Sequence, residues 1–118
     1  PGRLTRMSST PDMGGGETGA TAAIVGAGLM GRWHAHSAQR AGGRVTGIFD
    51  IDPARARALG ARYPAASIVE RWDPAAVARV ANVAHVCTPL DTHESLVAGL
   101  LDAGVSVLSE KPLTETSW

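Results

Sequence analysis

Short apolar runs alternate with helix-length segments along most of the chain, and this alternation restricts the fold more than any other feature. Five runs predict strands, at residues 21–26, 44–50, 67–70, 82–88 and 105–109. The segments between them predict helices, at residues 29–41 and 53–62, after Asp73, and before Gly104. Strands that alternate with helices build βαβ units and a parallel sheet with right-handed crossovers. The sequence therefore predicts an α/β fold with a doubly wound parallel sheet in the strand order 3-2-1-4-5.

A glycine-rich turn joins the first predicted strand to the first predicted helix. Gly26, Gly28 and Gly31 have the spacing G-x-G-x-x-G, and Leu29 and Met30 open the helix. The first glycine permits a tight turn, the second lets the backbone approach a pyrophosphate, and the third lets helix and strand pack closely. The free N–H groups at the helix start attract phosphate charge. This context predicts dinucleotide binding; the alternative is a glycine turn without a ligand.

An acidic residue, Asp50, ends the second predicted strand, nineteen residues after Gly31. A carboxylate at this position accepts hydrogen bonds from the ribose hydroxyls of the adenosine half. Since it repels a 2′-phosphate, the sequence favours NAD over NADP. Arg55 and Arg57 follow on the next predicted helix, and a swing of either side chain toward a phosphate would permit NADP instead.

Composition and charge argue against several other classes of protein. The 118 residues include 11 basic and 11 acidic side chains, so there is no net positive charge to favour nucleic acid or an anionic membrane surface. No apolar run reaches the ~18 residues of a membrane helix. Cys87 is the single cysteine, and no Cys/His cluster predicts a metal site. We therefore expect a soluble, cytoplasmic protein that binds no metal, nucleic acid or membrane.

Three histidines outside the distinctive motifs are predicted to be structural. His34 and His36 lie two residues apart on one predicted helix, so they face different directions and cannot chelate one metal ion. His34 is expected to pack or to lie at the cleft edge. His85 lies within the fourth predicted strand and is expected to be a core side chain.

The two ends of the chain differ from its middle. Residues 1–20 are rich in Gly, Ser, Thr and Pro and predict a flexible tail. Residues 21–118 are expected to form the α/β domain. Because the chain begins with Pro1 and ends at Trp118 soon after a distinctive motif, we expect this domain to be truncated at its C-terminus.

The second half of the chain contains that distinctive combination of motifs. Residues 86–113 read VCTPLDTHESLVAGLLDAGVSVLSEKPL, which includes Thr88–Pro89, His93 and Glu110–Lys111–Pro112. Together with GAGLMG at 26–31 and FDIDP at 49–53, these motifs resemble the N-terminal domain of the Gfo/Idh/MocA oxidoreductases. That family includes glucose–fructose oxidoreductase and inositol 2-dehydrogenase. The resemblance covers residues 21–113.

The resemblance implies an NAD(P)-binding Rossmann domain that is normally followed by a second α/β domain. The second domain would supply much of a sugar, cyclitol or polyol pocket and the interface of a homo-oligomer. Lys111 would lie near the nicotinamide and the reacting hydroxyl as the catalytic residue. The remaining motif residues would line the cofactor cleft or lie beside it: Thr88, Pro89, His93, Glu110 and Pro112.

Two other functions compete with that of a dehydrogenase half. The same fold could serve as a non-catalytic sensor that uses NAD occupancy to control a protein partner. A methyltransferase-like α/β domain also has glycines after its first strand and an acid after its second, but the EKP and TP-x₃-H segments argue against it. Because the second domain is absent, we expect the chain alone to bind nucleotide without turnover.

Overall fold

A computed structural model describes residues 2–7, 20–88 and 90–112, with side chains described within 20–88 and 92–109. Ten elements follow one another along these residues. They are β1 (Gly2–Met7), β2 (Thr21–Val25), α1 (Leu29–Arg40), β3 (Arg44–Phe49), α2 (Pro53–Gly60), β4 (Ser67–Ile68), α3 (Pro74–Val80), β5 (Val83–Val86), α4 (Leu90–Asp102) and β6 (Ser106–Pro112).

The strands form one sheet in the order β1-β6-β5-β2-β3-β4. Five neighbouring strands, β6 to β4, are parallel, and Ile24 at the centre pairs with Ile48 on one side and His85 on the other. Without β1, this is the predicted order 3-2-1-4-5. The predicted doubly wound α/β fold is therefore confirmed.

The expected flexible tail over residues 1–20 is wrong for Gly2–Met7. These residues form an antiparallel edge strand on β6, with Gly2 opposite Pro112 and Met7 opposite Val107. A sheet edge presents unpaired N–H and C=O groups that a further strand can satisfy, whatever that strand's own propensity. Residues 1 and 8–19 of the predicted tail lie outside the described residues.

Two helices begin with the same local device. Asp52 precedes Pro53 in α2 and Asp73 precedes Pro74 in α3, and each aspartate accepts a hydrogen bond of 3.0 Å from the backbone N–H two residues later. The carboxylate satisfies a donor that has no partner within the helix, and proline needs none at the first helical position. The predicted helix starts are confirmed, while α2 ends at Gly60 rather than at residue 62.

Alternate residues of β2 enter two different cores. Ile24 packs on the face covered by α1 and α2, whereas Ala23 and Val25 pack on the face covered by α3 and α4. Right-handed crossovers that leave β2 in opposite directions place their helices on opposite faces, which explains this division. Among the described helices, none combines the length and apolarity needed to cross a membrane.

Candidate functional site

The glycine turn between β2 and α1 is packed tightly on two sides. Gly26 has a φ of +104°, and a Cβ there would lie 2.9 Å from the carbonyl carbon and oxygen of Cys87. A Cβ at Gly31 would lie 1.8 Å from the carbonyl oxygen of Gly26. Both positions therefore require glycine: one for a left-handed turn against β5, the other for the close approach of helix and turn.

The third glycine of the turn faces open space. No heavy atom lies within 4 Å of the position that a Cβ on Gly28 would take, and Gly28 is the N-cap residue of α1 without a side-chain cap. The first intrahelical bond of α1 runs from the Arg32 N–H to the Gly28 carbonyl at 3.0 Å. The preceding N–H groups, those of Leu29 to Gly31, form the positive end of the helix and are suited to bind an anion.

Asp50 connects the turn to the end of β3. Its Oδ2 accepts a hydrogen bond of 2.7 Å from the Ala27 N–H, and its Oδ1 accepts one of 2.7 Å from the Asp52 N–H. The Arg55 Nε and Nη2 each donate to the same Oδ1 at 3.3 Å. The carboxylate is thus held beside the glycine turn by two backbone donors and one guanidinium.

These contacts keep Asp50 ionised although it is buried. Burial by itself raises the pKa of the carboxyl group, because it disfavours the charged form. The hydrogen bonds from Asp52, Ala27 and Arg55 and the positive charge of Arg55 together outweigh burial, and the pKa lies below its usual value. A charged acceptor therefore stands next to the turn at neutral pH.

A cavity of about 340 Å³ opens beside Gly28 and Asp50's partner Arg55. Two more arginines line it: Arg32 from the first turn of α1 and Arg62 from the turn after α2. Arg62 is not among the residues that the sequence motifs predict for the site. A signal was available, because the helix predicted over residues 53–62 would place Arg55 and Arg62, seven residues apart, on one side.

The end of β5 contacts the other side of the turn. The Thr88 methyl carbon would lie 3.2 Å from a Cβ on Gly26. The Thr88 Oγ1 and the His93 Nδ1 are buried and have no hydrogen-bond partner among the described residues. Burial lowers the pKa of His93, so its imidazole favours the neutral form.

Comparison with known proteins is consistent with this geometry. Residues 20–117 match the Gfo/Idh/MocA family, described as an oxidoreductase family with an NAD-binding Rossmann fold. This chain belongs to the Gfo/Idh/MocA family. Because the match covers nearly all of the described residues, the predicted family and its NAD-binding fold are confirmed.

Individual relatives of the family extend this comparison. Inositol 2-dehydrogenase of Corynebacterium glutamicum (strain R) is 33% identical over 96 residues, which are 80% of this chain and 28% of that protein. The structure of UDP-N-acetylglucosamine 3-dehydrogenase GnnA from Acidithiobacillus ferrooxidans has a TM-score of 0.69 and 28% identity, over 80% of this chain and 30% of that one. GenD2 from gentamicin A biosynthesis, solved in complex with NAD, has a TM-score of 0.69 and 26% identity, over 83% and 28%.

The chain spans 28% of the length of the first of these relatives. The comparison therefore establishes the cofactor-binding part of a Gfo/Idh/MocA protein. The activity, substrate and assembly of a whole protein are matters for proposal.

The residues present fit the dinucleotide that the Gfo/Idh/MocA family binds. Gly28 leaves room for a pyrophosphate at the helix start, and Asp50 offers a charged acceptor beside it. Thr88 and His93 offer buried polar atoms that lack a partner within the described part of the chain. Buried polar groups of folded proteins are normally hydrogen-bonded, so these two atoms are consistent with a ligand.

The EKP segment lies in a different place from the one predicted. The sequence places Lys111 just past a strand that ends at residue 109, whereas β6 continues to Pro112 and pairs Lys111 with Arg3 of β1. The added strand extends the pairing by three residues, which explains the difference. The side chains of Glu110, Lys111 and Pro112 lie outside the described set, as does the whole of Pro89, so their roles remain predictions.

A second polar pair lies on the side of α1 toward β5. The Nδ1 atoms of His34 and His85 are 3.0 Å apart, and both rings are buried. His85 is a core residue, as the sequence predicts, and His34 packs in the core, which is one of the two places expected for it; the pairing of the two is not predicted. Within the described residues, no group of three or more His, Cys, Asp or Glu side chains is placed to hold a metal ion.

Proposed function

We propose that this chain is the nucleotide-binding half of an NAD-dependent dehydrogenase that acts on a hydroxyl group of a sugar, cyclitol or related polyol. The observation that carries the proposal is the glycine turn. Within this turn, Gly28 lies at the start of α1 and faces open space. The N–H group of Ala27, in the same turn, donates a hydrogen bond to the Asp50 carboxylate. The inositol 2-dehydrogenase and sugar-nucleotide dehydrogenase among the relatives support the substrate class.

The described residues divide the binding of the dinucleotide among them. The N–H groups of Leu29, Met30 and Gly31 would hold the pyrophosphate, since they form the positive end of α1. Asp50 would accept the hydroxyl groups of the adenosine ribose. When bound, NAD supplies the chemistry by accepting or returning a hydride.

The nicotinamide end is proposed to lie against the ends of β5 and β6. Thr88 and His93 would use their buried polar atoms there, with Pro89, Glu110 and Pro112 completing the cleft. Lys111 is proposed as the catalytic residue that moves the hydroxyl proton, because an amine near the reacting oxygen can act as a general base or polarise that oxygen as a cation. These assignments come from the resemblance of the motifs to those of the family.

The chain by itself is proposed to bind NAD without turnover. The matched residues make up only 28% of the length of inositol 2-dehydrogenase from Corynebacterium glutamicum (strain R), and the additional residues of such relatives would complete the polyol pocket and the oligomer interface. Cys87 is the single cysteine, so the chain cannot form an internal disulfide, which suits the proposed cytoplasmic setting.

Calorimetric titration of NAD into the 118-residue chain tests the binding. We expect saturable binding that Gly28→Ala weakens by about tenfold, since a methyl group would stand where the pyrophosphate approaches. Gly28 has an ordinary φ of −77° and open surroundings, so the unfolding midpoint of Gly28→Ala should match that of the wild type. Absence of NAD binding to the folded chain would contradict the proposal.

A second measurement tests the lack of turnover. The chain, NAD and a polyol such as myo-inositol are incubated together, and absorbance of the reduced nicotinamide is followed. We expect no reduction of NAD above the rate without protein. Reduction that depends on Lys111 would show that the chain is catalytic on its own.

A further inference from the structure

The cavity beside the glycine turn is lined by three arginines, although the ribose diol of NAD is uncharged. We propose that it also accepts the 2′-phosphate of NADP, and that Arg55 determines the choice between the two dinucleotides. This inference rests on the proposed function, because it assumes that the adenosine half lies between Gly28 and Asp50. It differs from the expectation that Asp50 alone selects NAD.

One oxygen of the Asp50 carboxylate already has its full number of hydrogen bonds. Its Oδ1 accepts the Asp52 N–H at 2.7 Å and two N–H groups of Arg55 at 3.3 Å. Its Oδ2 accepts the Ala27 N–H and keeps one lone pair. Because a ribose diol donates two hydrogen bonds to a carboxylate, NAD gains both only when Arg55 leaves Oδ1. Binding of NAD at Asp50 is therefore an exchange rather than an addition.

The cavity is lined by positive charge. Arg32, Arg55 and Arg62 line it, and none of its described lining residues is acidic. Asp50 lies just behind Arg55, which forms an ion pair with it at 3.3 Å. The guanidinium thus offsets the negative charge that would repel a 2′-phosphate.

Arg55 is exposed enough to reach a ligand in the cavity. Its side chain is 56% exposed, whereas that of Asp50 is 6% exposed. The planar fork of a guanidinium matches the geometry of two phosphate oxygens. A turn of the Arg55 side chain into the cavity would bring it onto a 2′-phosphate, next to Arg32 and Arg62.

Arg55 should therefore have opposite effects on the affinities for NAD and for NADP. Without its guanidinium, Asp50 keeps its two backbone hydrogen bonds but loses its ion pair, so the carboxylate repels a 2′-phosphate and each oxygen has a lone pair free for a diol. Arg55→Ala should therefore weaken NADP binding and leave NAD binding unchanged or tighter. A residue that merely supported the fold would shift both affinities in the same direction.

The test is calorimetric titration of NAD and of NADP into the wild-type chain and its variants. We expect the two wild-type Kd values to lie within about tenfold of each other, and Arg55→Ala to change their ratio by about tenfold or more in favour of NAD. Arg57→Ala is the matched control: it removes the same charge from the same helix at an exposed position that does not line the cavity. Its ratio should stay within about threefold of the wild type.

Arg62→Ala is a second variant, which removes an arginine of the cavity without touching Asp50. It should weaken NADP binding alone. NADP binding more than about tenfold weaker than NAD in the wild type would overturn the inference and leave the proposed function intact. A ratio unchanged in Arg55→Ala, or shifted equally in Arg57→Ala, would also overturn it. Binding of neither dinucleotide would overturn the proposed function and this inference together.

Discussion

Asp50 and the His34–His85 pair are both buried beside α1, yet their surroundings favour the charged form of Asp50 and the neutral form of His85. Asp50 receives two backbone N–H groups and a guanidinium, so that its pKa is lowered and the carboxylate stays charged. His85 faces another imidazole at 3.0 Å, and burial together with the charge of a protonated His34 lowers its pKa from 6.5 to about 4. His85 is therefore neutral at neutral pH.

The difference shows that the surroundings of a buried group determine its charge more than its depth does. Backbone N–H groups are fixed donors that compensate a carboxylate for lost water. Two neighbouring imidazoles can share one hydrogen bond only if one ring donates and the other accepts, which a second proton prevents. The charged carboxylate lies at the glycine turn and the neutral imidazole of His85 lies in the core, so charge is retained beside the proposed ligand site.

Gly31→Ala should disturb both sites at once and have the largest effect. Its Cβ would lie 1.8 Å from the Gly26 carbonyl oxygen, and α1 would have to move away from the turn. That shift would separate Ala27 from Asp50 and His34 from His85. We expect a loss of about 3 kcal/mol in the free energy of unfolding, at the upper end of overpacking effects. Urea unfolding measures it.

Gly28→Ala is the control, since the same methyl group meets nothing within 4 Å there. Its loss should stay below about 1 kcal/mol. Equal unfolding midpoints for the two variants would contradict a close approach of α1 to the Gly26 carbonyl at Gly31.

Acidification should weaken the histidine pair before it affects Asp50. The folded-state pKa of His85 is about 4, below its usual 6.5, so the unfolded chain binds more protons between these values. Stability therefore falls as the pH drops from 6.5 toward 4, by up to roughly 3 kcal/mol. Urea unfolding across this pH range measures the loss.

His85→Gln should flatten that part of the pH profile, because the replacement does not titrate. His36→Gln serves as its control on an exposed position of α1 and should keep the wild-type profile. A profile that His85→Gln leaves unchanged would assign the loss to other groups.

Asp50→Asn should cost about 2 kcal/mol of stability at neutral pH, because its amide places a donor against the Ala27 or Asp52 N–H. Since the pKa of Asp50 lies below its usual 3.8, its contribution is complete above that pH and disappears as the pH falls further. Asp52→Asn is the matched control, because asparagine caps a helix as well as aspartate does. Similar losses in both variants would contradict the special role of Asp50.

Arg55→Ala should change stability least, by about 0.5 kcal/mol or less, because an ion pair with an exposed partner contributes little. This variant would sharpen the contrast by showing that backbone donors, rather than the salt bridge, hold Asp50. Thermal unfolding at neutral pH is sufficient to measure it. A loss as large as that of Asp50→Asn would reverse that interpretation.

The sequence predicts those parts of the fold that depend on local signals. Asp52–Pro53 and Asp73–Pro74 mark helix starts because the cap and the proline act within one turn. The glycine turn is predictable because Gly26 and Gly31 meet steric constraints, and Gly28 leaves room for a ligand, at a fixed spacing. The position of Asp50 follows for the same reason, since it ends the strand that follows the turn.

Contacts between distant segments are not predictable in this way. The His34–His85 pair depends on the rotation of α1 about its axis and on which face of β5 His85 occupies, across 51 residues of sequence. The ion pair between Arg55 and Asp50 depends on the rotamer of the arginine side chain, although the two residues are close in sequence. The pairing of β1 with β6 depends on a free edge that only the assembled sheet creates.

The pairing of β1 with β6 means that any further strand would compete with β1 for the edge of β6. A strand has a single outer edge, and Gly2–Met7 occupy that of β6 along six paired positions. Any further segment that joins β6 must first displace these six residues, so gain of one neighbour is coupled to release of the other. The N-terminal residues thereby satisfy N–H and C=O groups of β6 that would otherwise be open to pairing with another chain.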